Sequence, residues 1–426
     1  MGRNRQDALG AQAEVKRRVF YGWRIAAAGA GLQFLYGALL LQAFGAYVAV
    51  LSDELGWSKT ALSGGAAIQS LEGALIGPLL GWLIDRFGPR VMVRAGVLAL
   101  ALGFFLLARV ETLTGFYGSM VAVAIGASLC GYFPLSVALV HFFRKRRARA
   151  LSLMTLGIAA GGLALPVIGW SMVTFGWRST ALWSGVIALV AGWPLASVVR
   201  GNPAEVGEQV DGEPAESSRD EAAHAQEQSR EFTAPQALRT QAFWLLGIAH
   251  GLALLVVTAV NVHAISHMKE GLGYSISQAS FVITLMTVAQ AGGILLGALV
   301  GDHWEKRHVA AACMVAHMVG LLLLTFASHP LMLAAFAVVH GVAWGLRGPF
   351  MQALRADYFG LKSIGMILGL SAVLIAVGQV AGPLVAGVMA DLTGSYRSGF
   401  VLLALLAGSG SVMFMMARKP VLADQQ

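Results

Sequence analysis

The sequence predicts an all-α membrane protein: twelve transmembrane helices arranged as two pseudo-symmetric six-helix bundles. Three observations carry this prediction. Hydrophobic residues make up 57% of the 426 and charged residues 12%, and the mean hydropathy is +0.69, far from the soluble average. Apolar runs long enough to cross ~30 Å of hydrocarbon at ~1.5 Å per residue recur along the chain. One polar break separates two sets of six runs whose glycines and prolines recur in register.

The first set reads as spans at roughly 21–50, 60–83, 91–108, 114–140, 150–174 and 179–199. Residues 1–18 are polar and lack the apolar stretch of a cleavable leader, so the first span is expected to serve as its own targeting signal. Residues 200–240, rich in Glu, Gln, Ser and Pro, have too little apolar surface to form a core and are expected to be a flexible cytoplasmic linker. The second set follows at roughly 242–266, 276–300, 308–327, 331–354, 363–389 and 398–417. The domains expected are therefore an N-terminal bundle over 1–199, the linker over 200–240 and a C-terminal bundle over 241–426.

Basic residues set the orientation, because cytoplasmic loops keep an excess of Lys and Arg. Placing both termini inside puts 24 of the 30 Lys and Arg on cytoplasmic segments, with Arg355 counted in the loop after the tenth span. Lys59, Arg109, Arg178, Lys269 and Arg397 fall outside, and Arg347 lies within a span. The net charge of +8 is thus topogenic and lipid-facing rather than a sign of nucleic acid, and the cluster Arg144 to Arg149 reads as a solvated loop. Cys130 and Cys313 lie within spans and read as small packing residues. No spacing points to a metal or cofactor site, no nucleotide-binding glycine loop is visible, and no arrangement of nucleophile and base suggests an enzyme.

The repeat is visible residue by residue. Gly73, Gly77 and Gly81 recur as Gly293, Gly297 and Gly301, with Asp85 and Arg86 opposite Glu305 and Lys306. Gly126 and Pro134 recur as Gly341 and Pro349, and Pro166 as Pro383. A duplicated six-helix unit suits alternating access, in which two bundles rock about a site near the bilayer midplane.

The stretch Gly81-Trp-Leu-Ile-Asp85-Arg86-Phe-Gly88-Pro-Arg90 resembles the loop signature that follows the second helix in the major facilitator superfamily. Small residues there let helices approach, the Asp can accept bonds from a partner helix N-terminus, and the Arg residues hold the loop at the membrane surface. Gating roles are therefore expected for Asp85, Arg86 and Arg90, and more weakly for Glu305 and Lys306 in the degenerate second copy Gly301-Asp-His-Trp-Glu305-Lys306-Arg307.

Within that superfamily the chain is most similar to bacterial members of the monocarboxylate porter and oxalate/formate antiporter group. The residues concerned are Phe20-Tyr-Gly-Trp23-Arg, Leu55-Gly-Trp57-Ser58-Lys-Thr60, Phe142-Phe143-Arg144-Lys145-Arg146-Arg147, Phe175-Gly-Trp177-Arg178, Asp357-Tyr358-Phe359-Gly360 and Gly382-Pro383. The resemblance implies a monomeric carrier in a bacterial cytoplasmic membrane. It also departs from the group: the arginine that many members carry on the eighth helix is replaced by Gly292-Gly293-Ile294, and the lysine that oxalate exchangers carry on the eleventh helix is missing.

Charges inside spans are the sharpest functional signal, since one at the bilayer centre costs about 2.5 to 3.5 kcal/mol on insertion scales. Arg347 is read as the only basic residue inside a span. The tenth helix lines the cavity in this superfamily, and Arg347 lies about 24 Å from its outer end, where its fork can hold a carboxylate by two bonds. The bland reading is an arginine bracing its helix end. Tyr132 is its counterpart through the repeat, and Tyr36, Gln33, His250 and Trp344 complete the expected substrate-binding set.

Glu72, midway along the second span, and His340, up to two turns before Arg347, are the expected proton-coupling residues, each also explicable as helix-packing polarity. His317 reads as structural. Gln42, Asn261, Gln290 and Gln379 add neutral polar groups that either contact substrate or join helices.

The function expected is a secondary carrier for a small organic anion, a monocarboxylate, coupled to protons. Alternatives are an exporter of amphipathic drugs or metabolites and, more remotely, a membrane sensor.

Overall fold

The computed structural model describes residues 19–41, 43–57, 59–212 and 231–421. Gln42 and the middle of the 200–240 segment lie outside the described residues, as do the side chains of Gln69, Ser70 and Glu72. Backbone polar groups have no water partner in hydrocarbon, so spans must satisfy their own hydrogen bonds and become helices. No strand occurs among the described residues.

The first span is broken into α1 (Tyr21–Tyr36), a π-helical turn (Gly37–Leu41) and α2 (Phe44–Leu55). The second is α3 (Lys59–Phe87), which carries Pro78 internally. α4 (Pro89–Leu107) starts with Pro89 at a position where its missing N–H is no loss. The fourth span is divided at Gly131 into α5 (Leu113–Cys130) and α6 (Tyr132–Phe142). The fifth bends by 41° between α7 (Arg147–Gly161) and α8 (Leu165–Phe175), and α9 (Trp177–Val198) closes the first bundle.

A short α10 (Ala234–Leu238) precedes the second bundle of α11 (Gln241–Ser266), α12 (Ile276–Val300), α13 (Lys306–Thr325), α14 (Pro330–Phe359), α15 (Ile364–Thr393) and α16 (Tyr396–Met416). Among the described residues ten helices, or eleven with the bent pair, are long and apolar enough to cross a membrane. With α3 these account for the twelve expected spans.

Each bundle has its own apolar core. Ile25, Val97, Phe104, Leu139 and Met154 are buried in the first, and Phe243, Met314, Phe336, Phe350 and Phe400 in the second. Leu163, Val173 and Leu392 are among the most exposed apolar side chains, as a lipid-facing belt requires.

The cores meet at one end of the molecule, where the basic loops cluster, here termed the basic end. Ala353, Ala356, Ile364 and Leu368 of the second bundle pack into the first core, and Ala148 of the first packs into the second.

The 200–240 segment differs from the expected free linker at both flanks. Glu208 accepts the Tyr21 N–H at 2.8 Å, and Asp211 accepts the N–H groups of Arg144 and Lys145 at 3.1 and 2.9 Å. The Phe232 N–H donates to the Phe359 carbonyl at 2.9 Å. Isolated polar residues outside the hydrocarbon can still cap helix ends, which composition does not reveal.

Candidate functional site: a buried cationic cluster above a closed basic end

At the basic end the bundles are joined by reciprocal helix capping. Asp85, at the end of α3, accepts the Gly365 N–H at 2.9 Å and the Met366 N–H at 2.8 Å, capping α15 of the other bundle. Asp302, after α12, accepts the Ala148 N–H at 2.9 Å and caps α7 in return. Free N–H groups and the helix dipole make both N-termini good seats for a carboxylate. Burial raises the Asp302 carboxyl above the usual carboxylate range, with the Arg149 and Ala148 backbone partners pulling the other way.

The aspartate opposite Asp85 in function is thus Asp302, three residues earlier than the repeat register suggests. Glu305 instead pairs with the first turn of the helix that follows it, with Arg307 at 3.1 Å and His308 at 2.6 Å.

A third tie crosses between the bundles nearby. Asp357 binds Arg147 at 2.6 Å and Lys306 at 3.0 Å, and the Arg147 Nε also donates to the Phe143 carbonyl at 2.7 Å. Arg86 stacks over Trp82 and Phe87, at 5.5 and 5.7 Å from the ring centroids, and among the described residues it forms no ion pair with the other bundle. Arg90 has a buried Nε without a partner.

Glycine permits the close approach of α3 and α15. A Cβ on Gly81 would collide with the Gly365 carbonyl, and one on Gly77 would lie 3.1 Å from the Gly369 carbonyl. The hydrogen bonds and ion pairs described between the bundles lie at this end.

Above the closed end sits a cluster of buried cations. Arg347 is 1% exposed, and its Nε and Nη1 have no hydrogen-bond partner. Arg355, two turns further along α14, is 2% exposed and donates to Ser371 Oγ at 3.2 Å, to the Met351 carbonyl at 3.2 Å and, through both terminal nitrogens, to His250 Nδ1 at 3.3 Å.

Arg355 is therefore no loop residue: α14 continues to Phe359 and carries it inside the protein, so Arg347 is not the only cation in the span. Ending the span at 354 hid it, because a charge at the edge of an apolar run looks like the first loop residue.

The chemistry of this contact fixes the tautomer of His250. A guanidinium only donates, so Nδ1 must be the acceptor and the ring proton sits on Nε2. His250 is thereby a neutral donor held beside two positive charges. Tyr132, at the start of α6 in the first bundle, has a buried hydroxyl beside Thr155 and lies within the field of Arg355.

The remaining expected residues are placed differently. Gln33 is fully buried in α1 with both amide atoms unpartnered. Tyr36 packs against the first core and Trp344 against the second. His340 turns toward α13, where its Nδ1 is 3.2 Å from Nδ1 of His317. Position along a helix does not fix the direction a side chain faces. Among the described residues no ion pair involves Arg347 or Arg355, and no group of three potential metal ligands occurs.

Two six-helix bundles that cap each other at one end around buried arginines, with no ion pair to either among the described residues, have the architecture of a polytopic membrane transporter. The family-level comparison agrees. The chain belongs to the Major Facilitator Superfamily, whose family model matches residues 29–264 and 246–425.

Among relatives, monocarboxylate transporter 13 of Bos taurus is 25% identical over 406 residues, covering 92% of this chain and 88% of that one. The structure of the proton:xylose symporter XylE superposes with a TM-score of 0.74 at 14% identity, over 94% of this chain and 96% of that one. That of the human organic anion transporter MFSD10 gives 0.69 at 16% identity, over 92% and 99%. These structural likenesses carry the fold.

Proposed function

We propose that this transporter carries a small organic anion, a monocarboxylate, together with a proton, by alternating access between its two bundles. The observation that supports this most is the pair Arg347 and Arg355, both buried, with no carboxylate facing either among the described residues. A buried cation without a partner is costly, and a bound anion removes that cost.

Arg355 offers the fork, His250 Nε2–H and the Tyr132 hydroxyl offer neutral donors, and Arg347 supplies field from behind. Tyr132 comes from the opposite bundle, so an anion seated here touches both halves and senses their rocking. Glu72 and His340 are the candidates for proton exchange. The monocarboxylate transporter named above supports the same substrate class by likeness.

With Asp85, Asp302 and Asp357 engaged, the basic end is shut, and we place it in the cytoplasm, with both termini, in a bacterial inner membrane. This corresponds to a state open to the outside, in a protein working as a monomer.

A proteoliposome assay tests the reading: uptake of radiolabelled pyruvate driven by an inward proton gradient, lost in Arg355→Gln and Arg347→Ala. Uptake unchanged in both variants sinks the mechanism. A second reading, export of an amphipathic compound, draws on an apolar cavity of about 720 Å³ between α13 and α14, with His303, Glu305 and His308 at its mouth and Val342 and Leu346 in its wall. It is favoured if transport survives loss of both arginines.

A further inference from the structure

We propose that His317 and His340 form a shared-proton site that carries the coupled proton, and that an anion near Arg347 controls its occupancy. This rests on the proton-coupled anion-carrier reading above. Both imidazoles are completely buried, one on α13 and one on α14. Their Nδ1 atoms are 3.2 Å apart, their ring centroids 4.5 Å apart, and Phe336 packs against His340 at 5.6 Å. The Nε2 atom of each ring has no partner.

Such a pair bonds only when the two tautomers differ. One ring carries its proton on Nδ1 and donates it, leaving its Nε2 bare, while the other accepts at Nδ1 and is protonated at Nε2. The bare Nε2 is a buried acceptor with nothing to accept. A proton forming an N–H bond there gives an imidazolium whose Nδ1–H still donates to the same neighbour, so the pair gains one proton without losing its hydrogen bond. A second proton would set two donors face to face. The site therefore holds a single proton.

Few other charges face it. Arg347 lies seven residues beyond His340, about 10.5 Å along the helix and within about 20° of the same face. Its charge bears on both rings and on Cys313, one turn before His317. α12 has no ionisable residue, and α16 contributes only Tyr396 and Arg397 in its first turn, far from Gly408 and Gly410, which pack near Met318 and Met314. From α11 come His250, held neutral by Arg355, and His263, 3.0 Å from the Pro383 carbonyl, and just after that helix His267 lies 3.2 Å from the Leu324 carbonyl at the far end of α13, seven residues beyond His317.

A unit charge at that separation, at an effective dielectric of about 20, changes proton affinity by about tenfold. An anion that neutralises Arg347 therefore raises the affinity of the pair, and by linkage a proton on the pair raises the affinity for the anion. Co-transport follows from one shared charge, with no contact needed between proton and substrate.

The test uses full-length protein with ¹⁵N-labelled histidine in lipid nanodiscs. The expected result is a single proton taken up by the coupled pair, with a midpoint about one pH unit higher in Arg347→Gln. In Arg347→Lys, which keeps the charge, the midpoint stays in place. Two rings that titrate independently, or no shift in Arg347→Gln, overturn the proposal.

In proteoliposomes, His317→Gln is expected to lower gradient-driven pyruvate accumulation about tenfold while pyruvate counterflow persists. Intact accumulation in both His317→Gln and His340→Gln, or its loss only in Glu72→Gln, also overturns the proposal. Wild-type protein that moves none of pyruvate, lactate and acetate sinks the carrier reading itself, whereas active exchange beside a pair that never titrates sinks this proposal alone.

Discussion

Replacing Arg355 by Gln separates a substrate site from a structural brace, because the two roles give opposite signs in stability. The side chain is 2% exposed and its hydrogen bonds go to neutral groups: Ser371, the Met351 carbonyl and His250. At 3.2 to 3.3 Å these bonds are long, which puts each at the low end of the range of about 1.5 to 3 kcal/mol that a hydrogen bond to a charged group contributes. Against them stands the desolvation of an uncompensated charge, several kcal/mol after relaxation. Removing the charge while keeping an amide donor should leave the empty protein as stable as before or more so.

The attraction to an anion about 4 Å away is about 4 kcal/mol at an effective dielectric of about 20, or on the order of a thousandfold in affinity. The assay pairs thermal unfolding of purified Arg355→Gln with pyruvate binding followed by its stabilising shift. An unchanged or higher melting temperature with binding lost supports the site. A clear fall in melting temperature with affinity within about twofold of wild type refutes it.

Three further outcomes follow from the basic end. Asp85→Asn keeps one acceptor of two and loses the charge, weakening the closed end by about 2 kcal/mol. Alkylation of a thiol introduced by Ser152→Cys, buried beside Gly297 in wild type, should then rise on the order of tenfold or more, and unchanged labelling argues against the cap as a latch. Gly81→Leu drives a side chain into the Gly365 carbonyl, so the same labelling should rise and transport should fall. Asp357→Asn takes the facing carboxylate charge from Arg147, whose side chain is 8% exposed and keeps its bond to the Phe143 carbonyl, at a cost of about 1 to 3 kcal/mol to the closed state; Lys306→Gln, which leaves the Arg147 ion pair in place, should be milder in the same labelling assay.

The sequence and the structure part company at specific residues. Asp85 announces a gate because its neighbours form a motif, whereas Asp302 has no such setting and was displaced from view by a repeat register that put Glu305 opposite Asp85. The two positions lie three residues apart in a loop, and only the packed structure shows which carboxylate reaches α7. Arg355 is hidden by a span boundary, and His317 reads as structural until the fold brings it against His340. Tyr132 was matched to Arg347 by the repeat, but the field it meets across the interface is that of Arg355.

The sequence by itself determined that this chain crosses a membrane many times, that its two halves repeat, and that charge within its spans is the place to look. Those are properties of composition, periodicity and local spacing, which hydrocarbon enforces on each helix alone. Only the tertiary structure decided which charges lie buried near one another, which ends are shut, and that two histidines on different helices meet ring to ring. Such pairings depend on how helices are rotated about their axes and how far each extends, and those are set by packing between segments distant in sequence.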